Sequence, residues 1–366
     1  MARQKRPPDF IIFLTTLLLL GLGIIMVFSA SAYSALLYNN DMFYYLKKQL
    51  TWALLGLGAM AVAMHIPYFR LRKYAGFFLI IAFGLLILVL TGAGITHKGS
   101  SRWLGIGSLS FQPSELTKLV MVIYMAHSLS QHQDKMKSFT KGVLPHLGIL
   151  AAVCLLILAQ PDLGTAVAIA GTSYLMMLIA GARWSHMGLL AIAGIALVAA
   201  AIAAAPYRME RFTAFLNPWL DPTGSGFQTI QSLLALGSGG PFGLGLGRGR
   251  QKLLFVPERH TDFIYAILGE ELGFLGASLV IVLFFLFLWR GLRVAVTARD
   301  TYGSLLAAGI TCMIALQAVI NIGVVTGSLP VTGITLPFIS YGGSSLVFTL
   351  AGVGILLNVS RYCSLR

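Results

Sequence analysis

Apolar runs of about 20 residues recur along this chain, and each is long enough to cross the hydrocarbon of a bilayer as a helix. Inside lipid every backbone N–H and C=O must find a partner within the protein, so spanning segments are restricted to helices and closed barrels. Runs of this length fit helices. Composition agrees: 57% of the 366 residues are hydrophobic and 10% charged, against about 25% charged in a soluble domain. The expected fold is all-α and integral to the membrane, one polytopic domain over 1–366 with ten transmembrane helices. They fall near 10–31, 50–66, 75–92, 113–130, 143–159, 164–181, 187–205, 263–289, 303–326 and 341–359. One long polar segment, 206–262, separates the seventh span from the eighth. The start, Arg3-Gln4-Lys5-Arg6 before an apolar run with Ala30-Ser31-Ala32 near its end, has the outline of a secretion signal. Its apolar stretch is too long for one, which leaves an uncleaved first helix.

The net charge of +14 is carried largely by short connectors, among them Arg70, Arg72 and Lys73, then Lys135, Lys137 and Lys141. Positive connectors stay on the cytoplasmic side, which places both termini inside a plasma membrane and the 206–262 loop outside. No nucleic acid is needed to explain the charge. The outer loop carries Arg208, Arg211, Arg248, Arg250, Lys252 and Arg259 against that bias. Either these cations have a task or the loop is long enough to cross regardless of charge. Cys154, Cys312 and Cys363 are scattered, a pattern of neither a disulfide framework nor a zinc site.

Several stretches could carry chemistry. Lys98-Gly99-Ser100-Ser101-Arg102-Trp103 sets two cations beside hydroxyls, suited to a diphosphate or to plain interfacial anchoring. In Gln112-Pro113-Ser114-Glu115-Leu116-Thr117-Lys118, the acid and the lysine share a helix face within an apolar run. Intramembrane ionisable residues usually serve function, though a buried packing pair is the alternative. Asp162, after Gln160-Pro161, reads best as the N-cap of the next helix. In the long loop, Phe227, Ile230, Leu233 and Leu234 recur at helical spacing, so a short helix should lie on or dip into the membrane. A glycine-rich stretch from Gly237 to Lys252 lacks the ending of a nucleotide loop, but its N–H groups could bind phosphate oxygens. The loop closes on Pro257-Glu258-Arg259-His260-Thr261-Asp262 at the edge of the eighth span. On a continuous helix Glu270 would sit about 80° from Asp262 and could support it loosely. Between Asn321 and Ser345, two prolines and several glycines at membrane depth imply re-entrant backbone lining a site.

Together Gly99-Ser100-Ser101-Arg102-Trp103-Leu104, Phe111-Gln112-Pro113-Ser114-Glu115, Gln160-Pro161-Asp162-Leu163-Gly164-Thr165, Pro257 to Phe263 and Leu336 to Ser345 resemble the SEDS family (shape, elongation, division, sporulation). The resemblance implies ten transmembrane helices with a large outer loop and an enzyme that polymerises lipid II, with Asp262 as the essential carboxylate. It also implies a class B penicillin-binding protein as partner, beside lipid II, the nascent glycan strand and membrane lipids. On this reading Asp262 is the general base for the 4-hydroxyl of N-acetylglucosamine, forming a β-1,4 bond with inversion. Arg102, Lys118, Arg208, Arg211, Arg248, Lys252 and His260 are candidates for binding substrate, with Glu115, Gln112 and Ser344 in support. A divalent cation, Mg or Mn, could share the diphosphate, although no metal cluster is visible in the sequence. A lipid flippase or a non-catalytic scaffold are the alternative classes.

Overall fold

The apolar runs fold into a helical membrane protein. The structure, a computed structural model, describes residues 6–97, 100–106, 109–253 and 256–363. Its long helices are α1 (Phe10–Asn39), α2 (Tyr44–His65), α3 (Tyr68–Leu88), α4 (Pro113–Gln131), α5 (Leu144–Leu158), α6 (Leu163–Ile179) and α7 (Trp184–Ala203). Two short helices follow, α8 (Pro206–Leu216) and α9 (Phe227–Ser238). Then come α10 (Ile264–Thr297), α11 (Thr301–Val325) and α12 (Gly343–Ser360). Among the described residues, 7 helices are long and apolar enough to cross a membrane by composition alone. The helix α6 is shorter, and Lys47, Lys48 and Gln49 in α2 and Glu115 and Lys118 in α4 dilute the hydropathy of those two. Three strands between α3 and α4 depart from an all-helical expectation: β1 (Ile95–His97), β2 (Ser100–Ile106) and β3 (Leu109–Phe111) form an antiparallel meander. It satisfies backbone groups that a bare loop would leave to water.

α11 and α12 form the centre, with 78% and 83% of their apolar windows buried, whereas α7 has 6% buried and lies at the edge. α12 packs along α2, α10 along α11 and α1, and α3 along α4. Polar ties close one end of the bundle. Asp9 caps α1 through the N–H groups of Ile11 and Ile12 and pairs with Arg290 of α10, while its own N–H donates to Ser360 Oγ of α12 at 3.0 Å. The Arg6 N–H donates to the carbonyl of Arg361, so the described ends of the chain meet at the same end of the bundle.

The glycine-rich stretch is not a free loop. It enters a break in α10 at Gly273, whose φ of 66° and ψ of −168° are open to glycine almost alone. In an unbroken helix the carbonyls of Glu270 and Glu271 would accept from Phe274 and Leu275. Here those N–H groups donate to Gly240 O at 2.8 Å and Pro241 O at 3.1 Å, and the two carbonyls accept from Leu244 and Gly245, each at 3.0 Å. The loop strand thus replaces the helical bonds that the break removes. A Cβ on Gly273 would lie 2.2 Å from Gly243 N, so the two backbones meet only because both residues are glycine.

The glutamate side chains extend the clasp. Glu270 accepts from Arg250 N at 2.6 Å and Gln251 N at 3.1 Å. Glu271 accepts from Gly247 N at 3.1 Å, Gly249 N at 3.4 Å and Lys252 Nζ at 2.7 Å, with Ser29 of α1 as a further donor. Both carboxylates are buried. Two expectations are corrected here. The loop's N–H groups are occupied by protein carboxylates and not open to phosphate, and Glu270 faces the loop rather than Asp262. The helical-wheel argument failed because α10 begins at Ile264, so Asp262 lies in the turn before it.

α9 confirms the short helix in the long loop, but its buried face differs from the expected stripe. Ile230 is buried with Thr229, Ser232 and Ala235, while Leu233 and Leu234 are exposed. Ser232 Oγ donates to Val325 O at 2.7 Å, so α9 is pinned to the end of α11. Within the bundle, Lys118 Nζ lies 2.8 Å from Glu115 and 2.7 Å from Gln317 Oε1, all three residues buried.

Two sets of variants test these contacts. Gly273→Ala should lower the thermal unfolding midpoint in detergent, with backbone strain alone costing about 1–3 kcal/mol. Gly58→Ala, in α2 with open space around its Cβ position, should leave the midpoint unchanged or raise it. Lys118→Met alone strands a buried carboxylate at a cost of about 3–5 kcal/mol, and Glu115→Gln/Lys118→Met should recover most of that loss. Unfolding of the single and double variants measures the coupling; additive losses would show that the two side chains do not stabilise each other.

Candidate active site

The segment from Pro257 to Phe263 folds as successive turns rather than helix. Glu258 takes a positive φ of 50° and its carbonyl accepts from Thr261 N at 3.1 Å and Phe263 N at 3.2 Å. Thr261 Oγ1 donates to the Glu258 carboxylate at 3.0 Å. This coil presents Asp262, half-buried, one residue before Phe263 seals the bundle.

The re-entrant stretch expected after α11 is present, with no regular helix between Val325 and Gly343. It grips the coil from several directions. The Asn321 amide, buried in α11, donates to Asp262 O at 2.7 Å and to Ile334 O at 2.8 Å. Ser340 Oγ donates to Thr261 O at 2.6 Å, and Tyr341 N donates to His260 O at 2.8 Å. Gly333 lies against the carboxylate itself: a Cβ there would be 3.6 Å from Asp262 Oδ2. One residue earlier, Thr332 approaches the start of α6, where a Cβ on Gly164 would be 2.7 Å from Thr332 O. The re-entrant backbone therefore bridges Asp262 and the N-terminus of α6.

At that N-terminus Asp162 is the cap expected from the sequence, accepting from Thr165 N at 3.0 Å and Thr165 Oγ1 at 2.9 Å. Gln112 Nε2 reaches Asp162 at 3.3 Å, and Gln112 N donates to Ser344 Oγ at 3.1 Å. Arg102 is half-buried, with Nη1 4.0 Å from Asp162 and Nε 2.9 Å from Gln160 O. A further bond from Nη2 reaches Pro161 O. Arg102, Gln112, Ser344 and Asp262 thus belong to one neighbourhood around the re-entrant stretch.

The other candidates lie elsewhere. Lys118 is committed to Glu115 and Gln317 inside the bundle, and Lys252 to Glu271 and Ser29. Burial removed both from the outer surface because each had a carboxylate to neutralise it. Arg208 folds back on α7, donating to Ala201 O at 2.9 Å and to the Tyr207 hydroxyl. α8, which carries Arg208 and Arg211, packs on α7 and the following turn. Arg248 is exposed on the glycine-rich loop. His260 packs its ring on Tyr45 of α2 at 4.6 Å and on Tyr341 at 5.6 Å. Lys98 and Gly99 fall outside the described residues.

Sequence reasoning gave no role to Asn321, Ser340, Tyr45 or Ser29. An Asn within an apolar helix is a signal that could have singled out Asn321. Ser29 and Tyr45 sit in stretches where hydroxyls and aromatics are ordinary. Arg259, noted only as part of its motif, is buried, and desolvation pulls its guanidinium below the usual arginine range.

Comparison with known proteins identifies the family and the fold. The family model described as "Cell cycle protein", covering FtsW, RodA and SpoVE, matches residues 10–365. Stage V sporulation protein E of Bacillus subtilis strain 168 is 51% identical over 363 residues, 99% of each chain. A probable peptidoglycan glycosyltransferase FtsW of Geobacter sp. strain M18 is 47% identical over 362 residues, 98% of each. A solved chain from work on the structural coordination of polymerization and crosslinking by a peptidoglycan synthase complex superposes with a TM-score of 0.80 at 32% identity, covering 97% of this chain and 98% of that one. This chain belongs to the FtsW/RodA/SpoVE family of membrane-integral cell-cycle proteins.

Proposed function

We propose that the chain is a peptidoglycan glycosyltransferase that polymerises lipid II, with Asp262 as general base. Family membership supports the reaction class, and the placement of Asp262 supports its role. Its backbone is held by Asn321 and its carboxylate lies against Gly333. That single arrangement carries the reading, because a base must be held still beside the hydroxyl it deprotonates.

The acceptor is lipid II, through the 4-hydroxyl of its N-acetylglucosamine. The donor is a glycan strand joined to undecaprenol by a diphosphate. Asp262 takes the hydroxyl proton as the oxygen attacks the anomeric carbon. The bond from that carbon to the phosphate oxygen breaks, and the diphosphate leaves with the electron pair. Attack from the opposite face inverts the centre and makes a β-1,4 link. Arg102 is the cation best placed to stabilise the departing charge, and Arg248 is exposed on the glycine-rich loop. Among the described residues no group of three or more His, Cys, Asp or Glu side chains could hold a metal ion. A Mg or Mn ion would come with the diphosphate.

α1–α7 and α10–α12 are the ten spans of this reading, with the 206–262 segment on the outer side and both ends in the cytoplasm. The connectors at the end where Arg6 and Arg361 meet are rich in Lys and Arg, which supports that orientation. The likeness to a chain of a synthase complex supports a crosslinking partner, a class B penicillin-binding protein.

Purified protein supplied with lipid II should yield glycan polymer, and Asp262→Asn should abolish it while folding is kept. Polymer made at the wild-type rate by Asp262→Asn would end the base assignment; no polymer from the wild type, alone or with its transpeptidase, would favour a flippase or scaffold. Asn321→Ala should lower kcat about 10- to 100-fold with little change in KM, through misplacement of Asp262. A rise in KM alone would assign Asn321 to substrate binding instead.

A further inference from the structure

Arg259 is a buried cation with no carboxylate to neutralise it among the described residues. It is 7% exposed, its Nε is sealed from solvent with no hydrogen-bond acceptor, and among the described residues no carboxylate lies within ion-pairing distance. The other buried cations among the described residues have been provided for, Lys118 by Glu115 and Lys252 by Glu271, and the half-buried Arg290 has Asp9. A buried charge without a partner is strongly unfavourable, so a site that keeps one is prepared for an anion that arrives from outside.

The surroundings narrow what that anion is. Arg259 stands three residues before Asp262 on the same coil, within electrostatic reach of Tyr38 at the end of α1 and Tyr45 at the start of α2. The α1–α2 turn exposes Leu36, Leu37, Tyr38, Met42 and Phe43, an apolar rim beside the cation. A buried guanidinium next to exposed apolar side chains suits an amphiphile whose phosphate group is close to a lipid chain. Arg102 reaches the site from the side of α6 and is already opposed by Asp162 and two carbonyls. Arg259 stands on the same coil as Asp262, on the side of Tyr38 and Tyr45, with no such opposition among the described residues.

We propose that Arg259, with Tyr38 and Tyr45, forms an anion subsite that binds the diphosphate of a polyprenyl-linked sugar in the ground state. This rests on the polymerase reading, which requires two lipid-linked diphosphates around one base. Arg259 is a binding residue here; the proton and the leaving electron pair move as already described.

The test uses the full chain in nanodiscs, with Arg259→Met and Arg259→Lys beside the wild type. Binding of undecaprenyl diphosphate should weaken about tenfold in Arg259→Met and recover in part in Arg259→Lys, as expected for loss of one charge-assisted contact. Inorganic pyrophosphate should bind the wild type more weakly than the lipid, because it cannot use the apolar rim. KM for lipid II should rise about tenfold in Arg259→Met with kcat changed less than about threefold. The thermal midpoint of the unliganded protein should hold or rise, since an unpaired charge has been removed. Wild-type binding and KM in Arg259→Met would overturn the proposal. So would a lowered midpoint with activity lost in parallel and no rescue by lysine, which would make Arg259 structural. Polymerisation by the wild type and its loss in Asp262→Asn remain a separate measurement, so the subsite can fail while the polymerase reading stands.

Discussion

The clasp between the glycine-rich strand and the break in α10 is the contact on which the end of the molecule that carries Asp262 depends. Lipid offers no hydrogen bonds, so a helix broken at membrane depth must have its freed groups met by other backbone. At Gly273 the strand from Gly240 to Gly245 supplies both acceptors and both donors. Glu270 and Glu271 then fix the next turn of the loop, and Lys252 balances one of the two charges. What reads as flexible sequence is thereby made part of the bundle, and the coil carrying Asp262 starts from a fixed base.

A second feature follows from the same scarcity of water. The buried lysines of α4 and the glycine-rich loop each have a carboxylate at short range, Asp9 before α1 has Arg290, and Glu270 is met by backbone N–H groups, because an uncompensated ion would cost more than the fold can offset. Pairing takes those cations out of consideration as substrate ligands. It also makes the exception visible, since Arg259 is buried under the same conditions and has no carboxylate counterpart among the described residues. Around Asp262 the protein works mostly through backbone: the carbonyls of His260, Thr261 and Asp262 each accept from the re-entrant stretch or from Asn321. A rigid main chain fixes where the carboxylate stands.

The helices, their order and the neighbourhood of the site were readable in the chain because the bilayer imposes a length and a polarity on every spanning segment. The Asp162 cap, the re-entrant stretch and the Glu115–Lys118 pair were legible for a similar reason: each depends on residues close in sequence or on prolines and glycines that forbid regular helix. Three strands before α4, the face that α9 buries and the fate of Lys252 were not legible. The strands pair locally but lack a clean alternation of apolar and polar residues, whereas the other two depend on contacts between segments far apart in the chain, such as Ser29 with Glu271 and Ser232 with Val325.

The sequence by itself determined a multi-span helical membrane protein of a known family and marked the acidic turn at Asp262, since hydropathy and local backbone chemistry are written residue by residue. Only the tertiary structure decided which charges are spent on one another and which face the site. That choice depends on distances across the bundle, where a carboxylate a few ångströms away turns a candidate ligand such as Lys252 into a strut, while among the described residues none stands that close to Arg259.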